Sequence, residues 1–232
     1  MRTQWLFRSL FVAGIGLVLS PILGPSLAGA AFTGNDGPIV FVSTRSADTR
    51  YCAGPYQGDV LWVIPLPSST TAEQLTCTGQ QDTEPFFSPD GTQVVFASTR
   101  NGGNSQLFSV PLSSVSDSAA VTPTLVSVGT DETDTSPSWS PANDGTIVFS
   151  RTIGSGTPQL WTENVNNPSG AQAPVFSSPT GYSDTEPVYD PLNSSIIAFV
   201  RSIGGDTQIF EYNTSTETFT NLSSVGDGGT AR

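Results

Sequence analysis

The chain has 232 residues, of which 36% are hydrophobic and only 12% are charged. The formal net charge is −12, and a chain this acidic is a poor candidate for nucleic acid, because phosphate contacts need clustered basic residues. There is no histidine, and all eight basic residues are arginine. This composition excludes Ser-His-Asp triads, imidazole metal ligands and lysine Schiff bases, and leaves open catalysis by carboxylates alone.

The N-terminal segment reads as a secretory signal peptide. Arg2 and Arg8 precede an apolar segment at 9–19, and a small-residue Ala-Gly-Ala pattern ends at Ala30. We predict that residues 1–30 are a signal peptide cleaved after Ala30, so that the mature chain is periplasmic or secreted. The apolar run is short and interrupted, so we expect no membrane span after cleavage. A retained anchor is the alternative.

A repeat of about 50 residues dominates the rest of the chain. Segments of the form Asp-Thr-x-Pro start at Asp82, Asp134 and Asp184, and their spacings are 52 and 50 residues. Each segment is followed by a β-branched run with a phenylalanine, an arginine, a Gly-rich loop, a third apolar run and a weaker fourth strand. Four short strands per unit of this length are typical of β-propeller blades, in which stacked neighbours bury both faces of each sheet.

The first copy of the repeat begins at Ile39, directly at the second strand, and contains Arg45. We therefore predict an all-β chain with about four blades, the first of which lacks its inner strand. The predicted blades lie at about 36–78, 82–128, 134–178 and 184–226. Three interpretations of the missing strand are open: a piece of a longer propeller, which we favour, assembly with a second copy, or a small open or four-bladed structure.

These residues resemble a known family. The pattern Asp-x-x-Pro-x-x-Ser-Pro-Asp-Gly, followed by an apolar run and an arginine, is similar to the WD-like repeat of TolB-like β-propellers, and residues 82–100 match it almost completely. The third copy has a longer turn, and the fourth lacks the turn glycine, a change that asparagine can accommodate in the left-handed conformation. The resemblance implies a propeller that often has six blades.

Antiparallel pairing about the turn at Asp90 places Asp82 opposite Thr99 or Arg100. The other two aspartates have nearly the same separation from an arginine. We therefore predict an ion pair within each blade, and the pairs are Asp82 with Arg100, Asp134 with Arg151, and Asp184 with Arg201. We favour a role in stabilising the blade; the alternative is a polar ring that binds a partner.

The two cysteines, Cys52 and Cys77, fall at the same end of the first predicted blade. A disulfide between them is feasible in an oxidising compartment. Closing this loop would stabilise the fold by about 3–4 kcal/mol in the chain-entropy model. Two unrelated thiols are the alternative.

The resemblance implies a binding module, since the surfaces of TolB-like propellers dock envelope proteins. We expect a non-catalytic scaffold that binds another envelope or secreted protein and uses no metal or cofactor. The alternative is the propeller portion of a larger hydrolase similar to prolyl oligopeptidase. Its catalytic domain would need a histidine, which this chain does not contain.

Overall fold

The computed structural model describes residues 37–45, 58–66, 70–77, 80–112, 122–129, 131–168 and 172–223, all of which belong to one compact unit. The predicted signal peptide lies outside the described residues. Every strand and turn discussed below comes from these ranges. Within them, no helix is long and apolar enough to cross a membrane.

Fifteen strands form four antiparallel sheets, one of three strands and three of four strands. In each sheet the strands follow one another in chain order. The prediction of an all-β fold of four blades is confirmed, and within the described residues the first sheet has three strands. The strands are β1 (Ile39–Ser43), β2 (Val60–Ile64), β3 (Glu73–Gln74), β4 (Asp82–Phe87), β5 (Gln93–Ser98), β6 (Gln106–Pro111), β7 (Thr124–Leu125), β8 (Glu132–Trp139), β9 (Thr146–Ile153), β10 (Gln159–Asn164), β11 (Ala173–Pro174), β12 (Ser183–Asp190), β13 (Asn193–Ile203), β14 (Asp206–Asn213) and β15 (Thr218–Asn221).

The hairpin turns between the first two strands of each complete sheet differ. In the second sheet Gly91 has a φ of 67° and donates its N–H to the carbonyl of Ser88 at 2.8 Å. In the third sheet Asn143 adopts the left-handed conformation, with a φ of 53°. We also expected a left-handed asparagine in the turn of the fourth sheet, and this expectation is wrong. Asn193 pairs in register with Asp190 and is not among the described residues of positive φ.

The apolar core lies between neighbouring sheets in three clusters, one at each junction. Successive side chains of a strand point to opposite faces. Val94 and Phe96 of β5 therefore pack towards the first sheet, and Val95 and Ala97 pack towards the third. Both faces of β5 are buried, so its sequence is continuously apolar instead of alternating.

The fourth sheet has one face that no described sheet covers. Ile209 and Leu222 on this face are 50% and 40% exposed, and Val188 is 43% exposed. The matching residues of the second sheet, Leu107 and Val126, are fully buried against the third sheet. We call the surface formed by Val188, Ile209 and Leu222 the fourth-sheet face.

Candidate functional site

The structure brings the predicted aspartates and arginines together. In the third sheet Asp134 and Arg151 are direct partners across the hairpin, and Arg151 donates from Nε to Oδ1 at 2.7 Å and from Nη2 to Oδ2 at 2.8 Å. Asp184 and Arg201 repeat this arrangement at 2.7 and 2.9 Å. Two parallel charge-assisted bonds fix both the orientation and the separation of each pair.

The second sheet forms its pair from a different register. Asp82 lies opposite Ser98, so its predicted placement opposite Thr99 or Arg100 is wrong. The placement fails because a bulge around Glu84 adds one residue to β4 and shifts the aspartate by one position along β5. The third and fourth sheets contain the same bulge.

Arg100 lies beyond the end of β5 and reaches back to the aspartate. Its Nη2 is 2.8 Å from Oδ1 and 2.9 Å from Oδ2 of Asp82. The Ser98 hydroxyl joins the two residues, because it donates to Asp82 Oδ1 at 2.6 Å and accepts from Arg100 Nε at 3.1 Å. The arginines of the repeat therefore do not all occupy one strand position.

Aromatic rings surround each guanidinium. The Cζ atom of Arg100 is 5.0 Å from the ring centroid of Phe96 and 4.8 Å from that of Phe108. Arg151 lies over Phe149 and Trp161 at 5.1 and 5.2 Å. These distances are within the range of cation–π interactions, so the aromatic rings add an attraction to each guanidinium beside that of the carboxylate.

The three aspartates are almost completely buried, with exposed fractions of 0%, 2% and 0% for Asp82, Asp134 and Asp184. A ligand outside the molecule has no access to carboxylates in this state. The burial therefore favours the stabilising role of the pairs over a polar ring that binds a partner.

The same aspartates also join neighbouring sheets through their backbone. The N–H of Asp82 donates to the carbonyl of Asp59 at 2.8 Å, and that of Asp134 donates to Ser105 at 2.9 Å. Asp184 repeats this bond to Pro158 at 2.9 Å. Each acceptor immediately precedes the next-to-last strand of the preceding sheet. Sequence reasoning missed these bonds, since nothing in the repeat indicates how adjacent sheets meet.

The bulges bring three residues into an uncommon backbone conformation. Glu84, Ser136 and Glu186 have φ values of 52°, 53° and 52°, and each occupies the third position of an Asp-Thr-x-Pro segment. Few residues other than glycine adopt positive φ. The Glu84 carboxylate accepts a hydrogen bond from the Ser136 N–H at 2.6 Å, which links the bulges of the second and third sheets.

The turn of the second sheet contains a carboxylate with a shifted pKa. The Ser88 hydroxyl and then the backbone N–H and hydroxyl of Thr92 donate to Asp90 and lower its pKa from 3.8 to about 2. Hydrogen bonds to the ionised form favour ionisation. Asp90 is exposed, and the hydrogen bonds that it accepts stabilise the turn.

The first sheet contains the arginine half of a pair. Arg45 donates from Nε to the Ser43 hydroxyl at 3.1 Å, and its Cζ lies 5.2 Å from the Phe41 ring and 4.8 Å from the Trp62 ring. Within the described part of the chain, the ion pairs are formed by Arg100, Arg151 and Arg201. Arg45 takes part in none of these three pairs.

The disulfide prediction is tested only in part. Cys77 is disulfide-bonded, but Cys52 lies outside the described residues, so the pairing stays a prediction. Within the described ranges, no three His, Cys, Asp or Glu side chains are grouped as metal ligands.

Comparison with known proteins identifies the fold of this chain but not its function. No family model and no curated protein matches the chain. It is similar to a putative TolB from Agrobacterium tumefaciens, with a TM-score of 0.55, 16% identity, and coverage of 70% of this chain and 54% of that one.

Two further structures illustrate other settings of the fold. A puromycin-hydrolyzing peptidase from Mycobacterium tuberculosis matches with a TM-score of 0.54 and 15% identity over 72% of this chain and 26% of that one. A nidogen/laminin complex matches with a TM-score of 0.55 and 9% identity over 80% of this chain and 61% of that one. This chain thus spans between about a quarter and three fifths of the structures it resembles. Its four sheets are β-propeller blades of the kind found in TolB structures.

Proposed function

We propose that this chain is an exported, non-catalytic propeller protein that binds another protein in the periplasm or cell envelope. The predicted signal peptide supports export, and the blade architecture shared with TolB structures supports a location in the envelope. Fold alone does not define function, so the proposal depends on the surfaces of this chain.

The observation that carries the proposal is the fourth-sheet face. Val188, Ile209 and Leu222 are each 40–50% exposed at positions that the other sheets bury against a neighbour. Exposed apolar side chains on one face of a sheet favour association with protein, because burying them removes apolar area from water. A nidogen/laminin complex with a similar fold gives an example of such a fold within a protein complex.

The state of the repeated carboxylates supports a non-catalytic role. A general acid or base must reach the substrate, but Asp82, Asp134 and Asp184 are buried and bonded to arginine. Their repetition at equivalent positions in three sheets is what a structural element requires, whereas a catalytic site needs only one copy.

A photocrosslinking residue at Ile209 tests the binding function in the source cell. We expect a defined adduct with one envelope protein from position 209. The matched control is the same residue at Thr216, which is also exposed but lies in the β14–β15 hairpin. Equal labelling from the two positions, or none from either, would contradict a binding role for the fourth-sheet face.

A second candidate function is the propeller part of a larger hydrolase. The similarity to about a quarter of a puromycin-hydrolyzing peptidase favours it. An immunoblot of the source cells separates the two. A native polypeptide much larger than 24.3 kDa with peptidase activity would support the hydrolase, and a small inactive one would support the binding protein.

A further inference from the structure

The inner edge of the first sheet, formed by β1, differs from that of the other sheets. In the second, third and fourth sheets, an inner strand starting at or just before an aspartate pairs with the next strand. In the first sheet β1 pairs with β2 on one side only, among the described residues. An edge of this kind presents a row of backbone groups that can pair with another strand.

The side chains at this edge already have the geometry of a complete cluster. Arg45 donates to Ser43 Oγ at 3.1 Å from Nε and at 3.3 Å from its backbone N–H. In the second sheet the matching distances from Arg100 to Ser98 are both 3.1 Å. The two guanidinium groups also lie at nearly equal distances from their aromatic neighbours. The second sheet adds the Asp82 carboxylate to this cluster, whereas no ion pair of the described residues involves Arg45.

A buried donor without a described acceptor lies beside the same guanidinium. The Trp62 indole Nε1 is buried and has no hydrogen-bond acceptor among the described residues. Buried donors normally have a partner. Both observations indicate that the Arg45 guanidinium and the Trp62 indole could donate hydrogen bonds to a group that is not among the described residues.

The second sheet supplies the register for an added strand. There the aspartate lies opposite Ser98, and the two apolar residues after the proline lie opposite Val95 and Val94. The corresponding positions on β1 are Ser43, Val40 and Ile39. Ile39 is 49% exposed, whereas Val94 is fully buried, so an added strand would cover apolar surface as well as supply a charge.

We infer that the edge of β1 that pairs with no described strand binds an extended segment of a separate polypeptide with the sequence Asp-x-x-Pro-apolar-apolar. The segment adds as an antiparallel strand, its aspartate accepts from Arg45 and Ser43, and its apolar residues lie opposite Val40 and Ile39. Backbone bonds provide affinity, and the aspartate provides specificity. This inference rests on the proposed binding function and names one surface and one class of partner for it.

The test uses a fluorescein-labelled synthetic peptide with the sequence of residues 81–88, titrated against the purified chain by fluorescence anisotropy. We expect saturable one-to-one binding. Replacing the peptide aspartate by asparagine should weaken binding at least tenfold, which corresponds to about 1.4 kcal/mol. Arg45→Gln should weaken it by a similar factor, and the two changes together should cost little more than either alone.

Arg232→Gln is the matched control, since it removes the same charge at the C-terminus, and it should leave the affinity unchanged. A thermal melt establishes that Arg45→Gln remains folded. Absence of saturation, equal affinity of the two peptides, or indifference to Arg45→Gln would overturn the inference. A chain that self-associates only when Arg45 is present would also overturn it, because a second copy would then occupy the edge. Crosslinking at Ile209 decides the broader binding function independently.

Discussion

The second and third sheets form the same cluster of acid, arginine and aromatic rings from different sequence positions. In the second sheet Arg100 follows Phe96 by four residues, and in the third Arg151 follows Phe149 by two. Arg151 faces its aspartate directly within the strand, whereas Arg100 reaches back from beyond the strand end. The final N···O distances are nevertheless 2.7–2.9 Å in both sheets.

This difference shows which half of the pair the fold fixes. The aspartate is held by its strand, by the bulge that follows it and by its backbone bond to the preceding sheet. The arginine has a long side chain and can approach from either of two positions. Where it approaches from farther away, Ser98 occupies the position directly opposite the aspartate and bridges the pair.

The largest expected effect follows from removing the fixed half of a buried pair. Asp134→Ala leaves Arg151 charged and 3% exposed without its counterion, so the free energy of unfolding should fall by about 3–5 kcal/mol. Urea denaturation followed by tryptophan fluorescence measures this. Asp131→Ala changes an exposed acid three residues earlier and should cost less than about 0.5 kcal/mol. Similar losses of unfolding free energy in both variants would mean that the buried ion pair contributes no more to stability than an exposed acid does.

Exchanging the two registers tests the comparison directly. Arg100→Thr should lower the free energy of unfolding of the chain by about 2–4 kcal/mol, because Asp82 stays buried without a cation. Adding Ser98→Arg places an arginine opposite the aspartate, as in the third sheet, and should restore most of the loss. Thermal denaturation of the single and double variants provides the comparison. A double variant no more stable than Arg100→Thr would show that the registers are not interchangeable.

A smaller effect is expected from the bridging hydroxyl. Ser98→Ala removes a hydrogen bond to an ionised group and should cost about 1.5–3 kcal/mol. Ser43→Ala makes the same change in the first sheet, where no described carboxylate accepts from the hydroxyl, and should cost less than about 0.5 kcal/mol. Equal losses, measured by the same denaturation, would contradict the bridging role.

The smallest effect concerns the turn of the second sheet. Because the folded pKa of Asp90 is about 2 and its unfolded value is 3.8, its stabilisation is complete above pH 3.8 and is lost as the pH falls through 2. Asp90→Asn should lower stability at neutral pH by less than about 1 kcal/mol, since the group is exposed. Melting temperatures of both proteins between pH 7 and pH 2 should converge at the acid end. A constant difference would contradict this assignment.

Much of the fold could be predicted from the sequence, because the repeat places turns, apolar runs and aspartates at regular intervals. The Asp–Arg pairs could be predicted for the same reason. The bulge could not be predicted, since Glu84, Ser136 and Glu186 share no residue type that favours positive φ. The error of one position at Asp82 follows from that bulge. The two arginine registers and the bonds between sheets depend on how strands meet in space, which their sequences do not specify.

The backbone bond from each aspartate to the preceding sheet provides a probe of local opening at each junction between sheets. The amide of Asp134 belongs to the third sheet and its acceptor, Ser105, to the second, so its hydrogen exchanges with solvent when either sheet detaches. Stacked repeats coupled only to their neighbours open preferentially from the ends. The amide of Asp134, at the middle of the three described junctions, should therefore exchange more slowly than those of Asp82 and Asp184. Deuterium uptake at these three amides reports separately on the three junctions between the described sheets.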